Sequence, residues 1–359
     1  MNSQCRVSHE PSPHASPQRE QGKCRSTRHR HAARRAWPGF LSLALRASMI
    51  PSAVVFSLLL SGVSAEEMPT LAGPAMGTTY RVTLAADISG MTRGEVHRDV
   101  EAVLARIDRA ASTWRADSDA SRFNRAAMDE WVTVSADLAT LVDTARVIHE
   151  QSAGAFDITV GPLVRLWAVG TPSAAVIAEA RGCVGMRLVE SRAATEEGRA
   201  ALRKSRAGVE IDLSGIAPGY AVDRVGERLQ ELGSTAHLVE LGGEVRAWGR
   251  PAEGRPWRVR LRDVDADRGL THHIDLADGT ALATSTCRPG RSPIDPRSGQ
   301  PVTSSRFGNS GMSSRTATVR AANCAMADAW AVAAVVLELE PDRDGTITMP
   351  ERPRSARAP

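Results

Sequence analysis

The residues from Glu210 to Asp223 carry the strongest chemical signal in the sequence. A short apolar strand pattern holds Asp212, a Ser-Gly turn follows at 214–215, and a helix pattern then begins. The N–H groups at a helix N-terminus attract phosphate, and a glycine turn lets a ligand approach the backbone closely, so this stretch could hold a nucleotide. Pro218 is unexpected, because a phosphate-binding loop would favour a lysine there.

Asp328 is the second candidate for chemistry, because it stands alone in an apolar helical pattern from 324 to 339. A buried carboxylate has to be paired, protonated or bound to a metal. Mg²⁺ is a suitable partner, since it binds one or two protein oxygens and leaves its other positions to water and substrate phosphate. A hydrogen-bonded Asp328 with a purely structural role is the alternative.

Three further segments offer weaker signals. Trp114 lies in a loop rich in Asp and Ser and could stack on a planar ring such as adenine or a flavin, although an isolated Trp more often belongs to a core. Phe156 and Asp157 follow Gly154 and offer backbone amides and a carboxylate to a ligand. Residues 295–299 have the composition of an ordinary β-turn.

The elements that must position these residues alternate irregularly between helices and hairpin-like strands. This order favours an α+β fold with mixed or antiparallel sheets over a doubly wound parallel sheet. Residue spacing predicts strands at 80–84, 237–241, 257–261 and 316–320, and helices after 92–95, from 135, at 221–232 and at 324–339.

The net charge of +4 is concentrated at the N-terminus. Residues 1–48 hold nine Lys and Arg against two Glu, a net charge of +7, which leaves −3 for the rest of the chain. The body is therefore mildly acidic and has no electrostatic footprint for nucleic acid.

Both ends of the chain are predicted to lie outside the folded domain. The basic residues 1–48 form an extension that cannot build a core, and translation could begin at Met49 instead. Residues 49–65 combine a short apolar run with a small-x-small cleavage pattern, as in a secretory signal peptide, with a retained membrane anchor as the alternative. The charged, Pro-rich residues 340–359 form a predicted disordered tail.

The three cysteines of the body, Cys183, Cys287 and Cys324, are widely spaced and show no Cys-x-x-Cys pattern. In an oxidising compartment, two of these cysteines could form one disulfide. Buried thiols that behave as small apolar side chains are the favoured interpretation.

Taken in order, seven segments resemble the FAD:protein FMN transferases, the ApbE-type flavin transferases. The resemblance covers roughly residues 72–339, which we interpret as one flavin transferase domain. The segments are residues 75–80, 112–118 with Phe123 and Asn124, 154–163, 212–217 with 219–223, 241–243, 294–299 and 327–329.

The resemblance implies a periplasmic or membrane-facing enzyme that binds FAD in a cleft between two α/β halves. With Mg²⁺, such an enzyme cleaves the FAD pyrophosphate, releases AMP and attaches FMN through a phosphoester to a Thr or Ser of a partner redox protein. The backbone oxygen of Gly215 and the carboxylate of Asp328 are implied at the Mg²⁺. The implied FAD contacts are Met76, Trp114, Ala155, Phe156, Asp157, Asp212 and Ile294.

Three positions depart from the family pattern. Pro218 stands at a cofactor-binding position that usually has Lys, and Ser292 stands at a catalytic position that usually has His, where Arg288 or Arg291 could supply charge. Val332 stands at a metal-ligand position that usually has Thr. The tail also lacks an evident final strand.

These departures leave three functions open. An active transferase is the first, and a weakened FAD-binding homologue that serves as a flavin carrier or assembly factor is the second. A FAD pyrophosphatase, in which water replaces the protein acceptor, is the third.

Overall fold

The structure is a computed structural model that describes residues 68–194, 198–251, 254–262, 271–287, 292–303 and 315–349. The predicted extension at 1–48 and the predicted signal peptide at 49–65 lie outside the described residues. The helices are α1 (Arg93–Ala111), α2 (Asp119–Arg125), α3 (Ala136–Gln151), α4 (Gly161–Ala168), α5 (Ala174–Arg181), α6 (Ala217–Glu231) and α7 (Cys324–Leu337). The strands are β1 (Thr70–Ala75), β2 (Thr78–Leu84), β3 (Val132–Thr133), β4 (Val189–Arg192), β5 (Ala201–Lys204), β6 (His237–Leu241), β7 (Glu244–Trp248), β8 (Trp257–Arg262), β9 (Thr271–Leu276), β10 (Ala281–Cys287), β11 (Ile294–Asp295), β12 (Gln300–Pro301), β13 (Arg315–Ala321) and β14 (Ile347–Thr348).

A seven-stranded sheet forms the centre of the fold, in the order β1-β2-β6-β7-β10-β13-β14. Its neighbours pair antiparallel, except that β14 runs parallel to β13. Three smaller sheets, β3-β5-β4, β8-β9 and β11-β12, lie outside it. The prediction of an α+β fold with mixed sheets is confirmed.

Helices α6 and α7 cover one face of this sheet. Helix α7 packs on β10, β13 and α6, and α6 packs also on α1 and β6. Because α7 has neighbours on several sides, it is apolar almost all round, as its sequence predicts. None of the helices in the described part of the chain is long and apolar enough to cross a membrane.

The β8-β9 hairpin covers part of the opposite face. Trp257 and Val259 of β8 are buried against Leu238, Val245 and other side chains of the central sheet. The predicted alternation of β8 is confirmed, because its apolar side chains point to the sheet while arginines separate them.

The predicted helix starts are confirmed by their caps. Thr92 and Glu95 form a complete capping box at the start of α1, and the Ser135 hydroxyl accepts the N–H of Leu138 at the start of α3. Helices α4 and α5 were not predicted, and each has only eight residues.

The predicted strand around Asp212 is wrong in extent. In this stretch Glu210 forms a single parallel β-bridge with Val160, and the N–H of Asp212 donates to the carbonyl of Ile158 at 2.7 Å. The pairing with the segment 158–160 ends at Asp212. Its carboxylate accepts the N–H of Ser214 at 2.8 Å and starts the turn that leads to α6.

The predicted disorder of residues 340–359 is wrong for the segment up to 349. Asp344 accepts the N–H and hydroxyl of Thr346, and this turn places Ile347 beside Val319 as β14. Ile347 is buried there, so a single apolar side chain in a charged segment supplies the final strand. Residues 350–359 lie outside the described residues.

The three cysteines of the body are free thiols. Cys287 and Cys324 are buried, while Cys183 is partly exposed. The interpretation as buried apolar side chains therefore fits Cys287 and Cys324 better than Cys183.

Candidate functional site

The centre of the candidate site is the junction between the first turns of α6 and α7. Asp328 lies in the second turn of α7 and is buried, and its Oδ2 accepts the backbone N–H of Gly219 at 3.0 Å. A Cβ at Gly219 would lie 2.3 Å from the carbonyl oxygen of Cys324, so glycine is required for this approach of the two helices. The Asp328 carboxylate is thus held by a backbone N–H in the first turn of α6.

A second acid, Asp223, is committed to holding α7 in place. Its carboxylate accepts the N–H groups of Cys324 at 2.8 Å and Ala325 at 2.9 Å and pairs with the guanidinium of Arg246 at 2.7 Å. The first turn of α7 is therefore capped from α6, and Asp223 has its own compensating cation.

The predicted metal positions lie together. A Cβ at Gly215 would stand 2.9 Å from Cγ2 of Val332 and 3.5 Å from Cε2 of Phe156. Val332 follows Asp328 by one turn of α7, so Gly215, Val332 and Asp328 converge although they are far apart in sequence. The side chain of Val332 is aliphatic and offers no oxygen ligand here.

The electrostatics of the junction favour a cation. Burial and the negative charge of Asp223 raise the pKa of Asp328 to about 7. Burial and the charge of Asp328 raise the pKa of Glu244, the first residue of β7, well above its ordinary value. A bound cation would relieve both effects.

The residues present fit Mg²⁺ in part. The buried Asp328 carboxylate and the nearby backbone of Gly215 are oxygen ligands of the kind Mg²⁺ takes, whereas Val332 is not. In the described part of the chain, no group of three or more His, Cys, Asp or Glu is placed to bind a metal.

The loop before α4 is fixed from within. The Ser152 hydroxyl accepts the N–H of Phe156 at 3.1 Å, and Asp157 Oδ1 accepts the N–H and hydroxyl of Thr159 at 2.8 and 2.5 Å. His149 Nδ1 lies 3.2 Å from Asp157 Oδ2, and this hydrogen bond raises the pKa of His149. Asp157 is buried, so its carboxylate shapes the loop, while Ala155 and Phe156 belong to the core.

The turn at 294–299 lies beside this loop. Cγ of Arg297 would be 4.0 Å from a Cβ at Gly154, and Arg297 pairs with Asp295 at 2.9 Å. Trp167 of α4 donates its indole N–H to the carbonyl of Gly299 at 2.9 Å. Ile294 packs against the buried side chains of the α4-α5 pair. Two predicted FAD segments are thereby brought together.

The other predicted site residues lie on loops and turns. Met76 adopts a φ of 48° in the tight turn between β1 and β2 and is partly buried. Trp114 is 90% exposed and does not pack into the core. Ser292 Oγ lies 3.0 Å from Cys287 Sγ at the end of β10, and Arg288 and Arg291 lie outside the described residues.

Glu244 is a site residue that was not predicted from the sequence. The signal available was an acidic residue directly after Gly242 and Gly243, between two apolar strands. Its burial follows from the pairing of β6 with β7 and was not evident from the sequence.

The fold and site define an α+β protein with an acidic junction of two helix starts beside a central antiparallel sheet. The ApbE family model matches residues 76–345, and the chain belongs to this family. It is accordingly an enzyme of the transferase class.

Relatives and solved structures agree with this assignment. The chain is 33% identical over 271 residues to the FAD:protein FMN transferase of Haemophilus influenzae, an alignment that covers 70% of this chain and 78% of the relative. It is 31% identical over 305 residues to that of Klebsiella pneumoniae, covering 78% and 84%. The apo crystal structure of the Pseudomonas stutzeri flavinyl transferase ApbE superposes with a TM-score of 0.65 at 32% identity, covering 78% of this chain and 86% of that one.

Proposed function

We propose that this chain transfers FMN from FAD to a Thr or Ser hydroxyl of a partner redox protein, in a reaction that uses Mg²⁺ and releases AMP. The convergence of Gly215, Gly219 and Asp328 supports this proposal most directly. It joins a helix N-terminus to a buried carboxylate that pairs with no cation among the described residues. The names of the relatives support the flavin chemistry.

The reaction exchanges the phosphoanhydride bond of FAD for a phosphoester bond to the acceptor. The acceptor hydroxyl oxygen forms a bond to the phosphorus of the FMN half, the bond from that phosphorus to the bridging oxygen breaks, and AMP leaves with the bridging oxygen. Mg²⁺, when bound, neutralises charge on the pyrophosphate. The Gly219 N–H orients Asp328, which would hold Mg²⁺ through its carboxylate. The proton of the acceptor hydroxyl passes to solvent.

A weakened FAD-binding homologue is the second candidate. Val332 presents its methyl group to Gly215 where an oxygen ligand would be expected, and Ser292 is a weaker base than histidine. Loss of a general base would lower the rate by about 10²–10⁴-fold. Such a protein would bind FAD and deliver it without cleavage.

One incubation distinguishes these functions. The protein is mixed with FAD, Mg²⁺ and a candidate acceptor, and covalent flavin fluorescence is read on a denaturing gel. A fluorescent acceptor supports the transferase, while free FMN and AMP without labelling support the pyrophosphatase. Intact FAD that stays bound rejects both enzymes and supports the carrier. Asp328→Asn is the matched control, since it keeps the shape of the side chain and removes the charge.

We also propose that the chain is secreted to the periplasm and meets its acceptor at the inner membrane. Residues 49–65 support export, and the acceptor or an uncleaved segment would provide the membrane association. Expression in a Gram-negative host followed by N-terminal sequencing tests this. Cleavage after Ala65 is expected, and an intact N-terminus in the cytoplasm would contradict it.

A further inference from the structure

Glu244 lies at the acidic junction through its place in the sheet. It is the first residue of β7, after the turn at Gly242 and Gly243, and only 9% of it is exposed. Because side chains alternate along a strand, the next residue, Val245, packs under the β8-β9 hairpin and Glu244 points to the opposite face, where α6 and α7 lie.

Two contacts fix this placement. Cys324 Sγ, one turn before Asp328 on α7, lies 3.7 Å from the carbonyl oxygen of Val245, so this side of α7 faces the start of β7. On the other side, Glu244 Oε2 lies 3.2 Å from the position of a Cβ at Gly242, beside the Thr78 side chain. The carboxylate therefore lies near Gly242 and Thr78, on the face of β7 that α6 and α7 cover.

Glu244 has no compensating partner in the described part of the chain. The hydrogen bond to its carboxylate comes from its own backbone N–H, and the charged neighbours are Asp328 and Glu240, both negative. Other acids nearby differ, since Asp223 pairs with Arg246 and Glu240 faces Arg81. A buried carboxylate aimed at a second one is thus left for a ligand to satisfy.

Two buried carboxylates that face each other without a cation are unfavourable when both are charged. A hard divalent cation between them relieves the repulsion, and Mg²⁺ uses one or two carboxylates together with water and phosphate. Asp328 has an oxygen free of the Gly219 contact, and Val332 supplies none. Glu244 can therefore supply a second carboxylate ligand at this junction.

We propose that Glu244 is a second carboxylate ligand of the Mg²⁺ that the proposed function places at Asp328. It supplies the protein oxygen that Val332 does not. Glu244 thereby belongs to the metal site although it lies 84 positions before Asp328 in the sequence.

Metal binding tests this assignment without turnover. Mn²⁺ binding to the full chain, free of FAD, is measured by the electron paramagnetic resonance signal of free Mn²⁺, and Mg²⁺ is then used to compete. Glu244→Gln is expected to weaken Mn²⁺ binding about tenfold or more, as loss of a metal ligand or its support does. Glu240→Gln is the matched control, a partly buried glutamate on the same hairpin, and is expected to weaken it less than about threefold.

A melting experiment gives a second readout. It compares the wild type with Glu244→Gln, first in EDTA and then with Mg²⁺ added. Addition of Mg²⁺ should raise the melting temperature of the wild type and leave that of the variant almost unchanged. Glu244→Asp, which keeps the charge and shortens the reach, should fall between them and serves if the first variant does not fold.

The inference is overturned if the wild type binds no Mn²⁺, or if Glu244→Gln binds it as tightly as the wild type. Its failure is distinguishable from failure of the proposed function. Flavin transfer by a wild type whose Mn²⁺ affinity is insensitive to Glu244 rejects the inference alone. Mn²⁺ affinity that depends on Glu244 in a protein that leaves FAD intact supports the inference and rejects the transfer.

Discussion

Gly219 and Asp328 are joined by a 3.0 Å hydrogen bond between two helix starts that lie 109 positions apart. The bond orients one oxygen of Asp328 and brings the backbone of α6 against α7. The absence of a side chain at Gly219 is what allows this contact, because Cys324 and Asp328 occupy the space around it.

The first prediction concerns that approach. Gly219→Ala should lower the free energy of unfolding by about 3 kcal/mol or more, because the added Cβ would meet backbone at 2.3 Å. Gly94→Ala in α1 is the matched control, since the nearest atom to its Cβ is the end of Arg98 at 3.9 Å. The control should be neutral or stabilising by up to about 1 kcal/mol. Urea unfolding measures both, and equal effects would contradict the close approach.

The second prediction concerns Pro218, in the first turn of α6. Pro218→Lys should tighten FAD binding about tenfold, equivalent to about 1.4 kcal/mol, because it adds a positive charge and an N–H beside the proposed pyrophosphate site. Quenching of flavin fluorescence measures the Kd. Pro218→Ala adds the N–H without the charge and should give a smaller gain. The same Kd in all three proteins would place the phosphates elsewhere.

The third prediction separates binding from stability at Trp114. This residue is 90% exposed, so Trp114→Ala should change the free energy of unfolding by no more than about 0.5 kcal/mol. If Trp114 stacks on FAD, the same change should weaken FAD binding by about 1–3 kcal/mol. Val169→Ala, at a residue 84% exposed on α4's C-cap, should affect neither quantity. An unchanged Kd for Trp114→Ala would remove it from the FAD site.

The fourth prediction is a pH dependence at His149. The hydrogen bond to Asp157 raises the pKa of His149 above 6.5 in the folded state. Its stabilisation is therefore fully present below about pH 6.5 and is lost as the pH rises through the folded pKa.

Unfolding of His149→Gln at two pH values checks the sign. The variant should lose on the order of 1 kcal/mol relative to wild type near pH 5.5 and clearly less near pH 8.5, since the pair is partly exposed to solvent. His273→Gln, at an exposed histidine of β9, should show no such difference. A larger loss at the higher pH would contradict the assigned pairing.

The sequence by itself determined the family, the class of fold and the four longest helices, α1, α3, α6 and α7. Local signals made this possible, such as the capping residues Thr92 and Ser135 and the apolar spacing of α6 and α7. These signals act within a few residues, so they can be recognised in the sequence without knowledge of the fold. The order of the seven motifs added the flavin transferase assignment, which the family match at residues 76–345 confirms. Predictions failed where one contact decided the outcome, as with Ile347, whose pairing with β13 converts a charged tail segment into a strand.

Only the tertiary structure decided how the site is assembled. Asp157 was predicted to contact FAD, and the fold shows that its carboxylate is engaged with Thr159 and His149. Glu244 carried no marked signal, and its place opposite Asp328 depends on which face of β7 meets α7. Contacts between residues that are distant in sequence depend on how whole helices and strands pack together. The spacing of residues along the chain does not specify that packing.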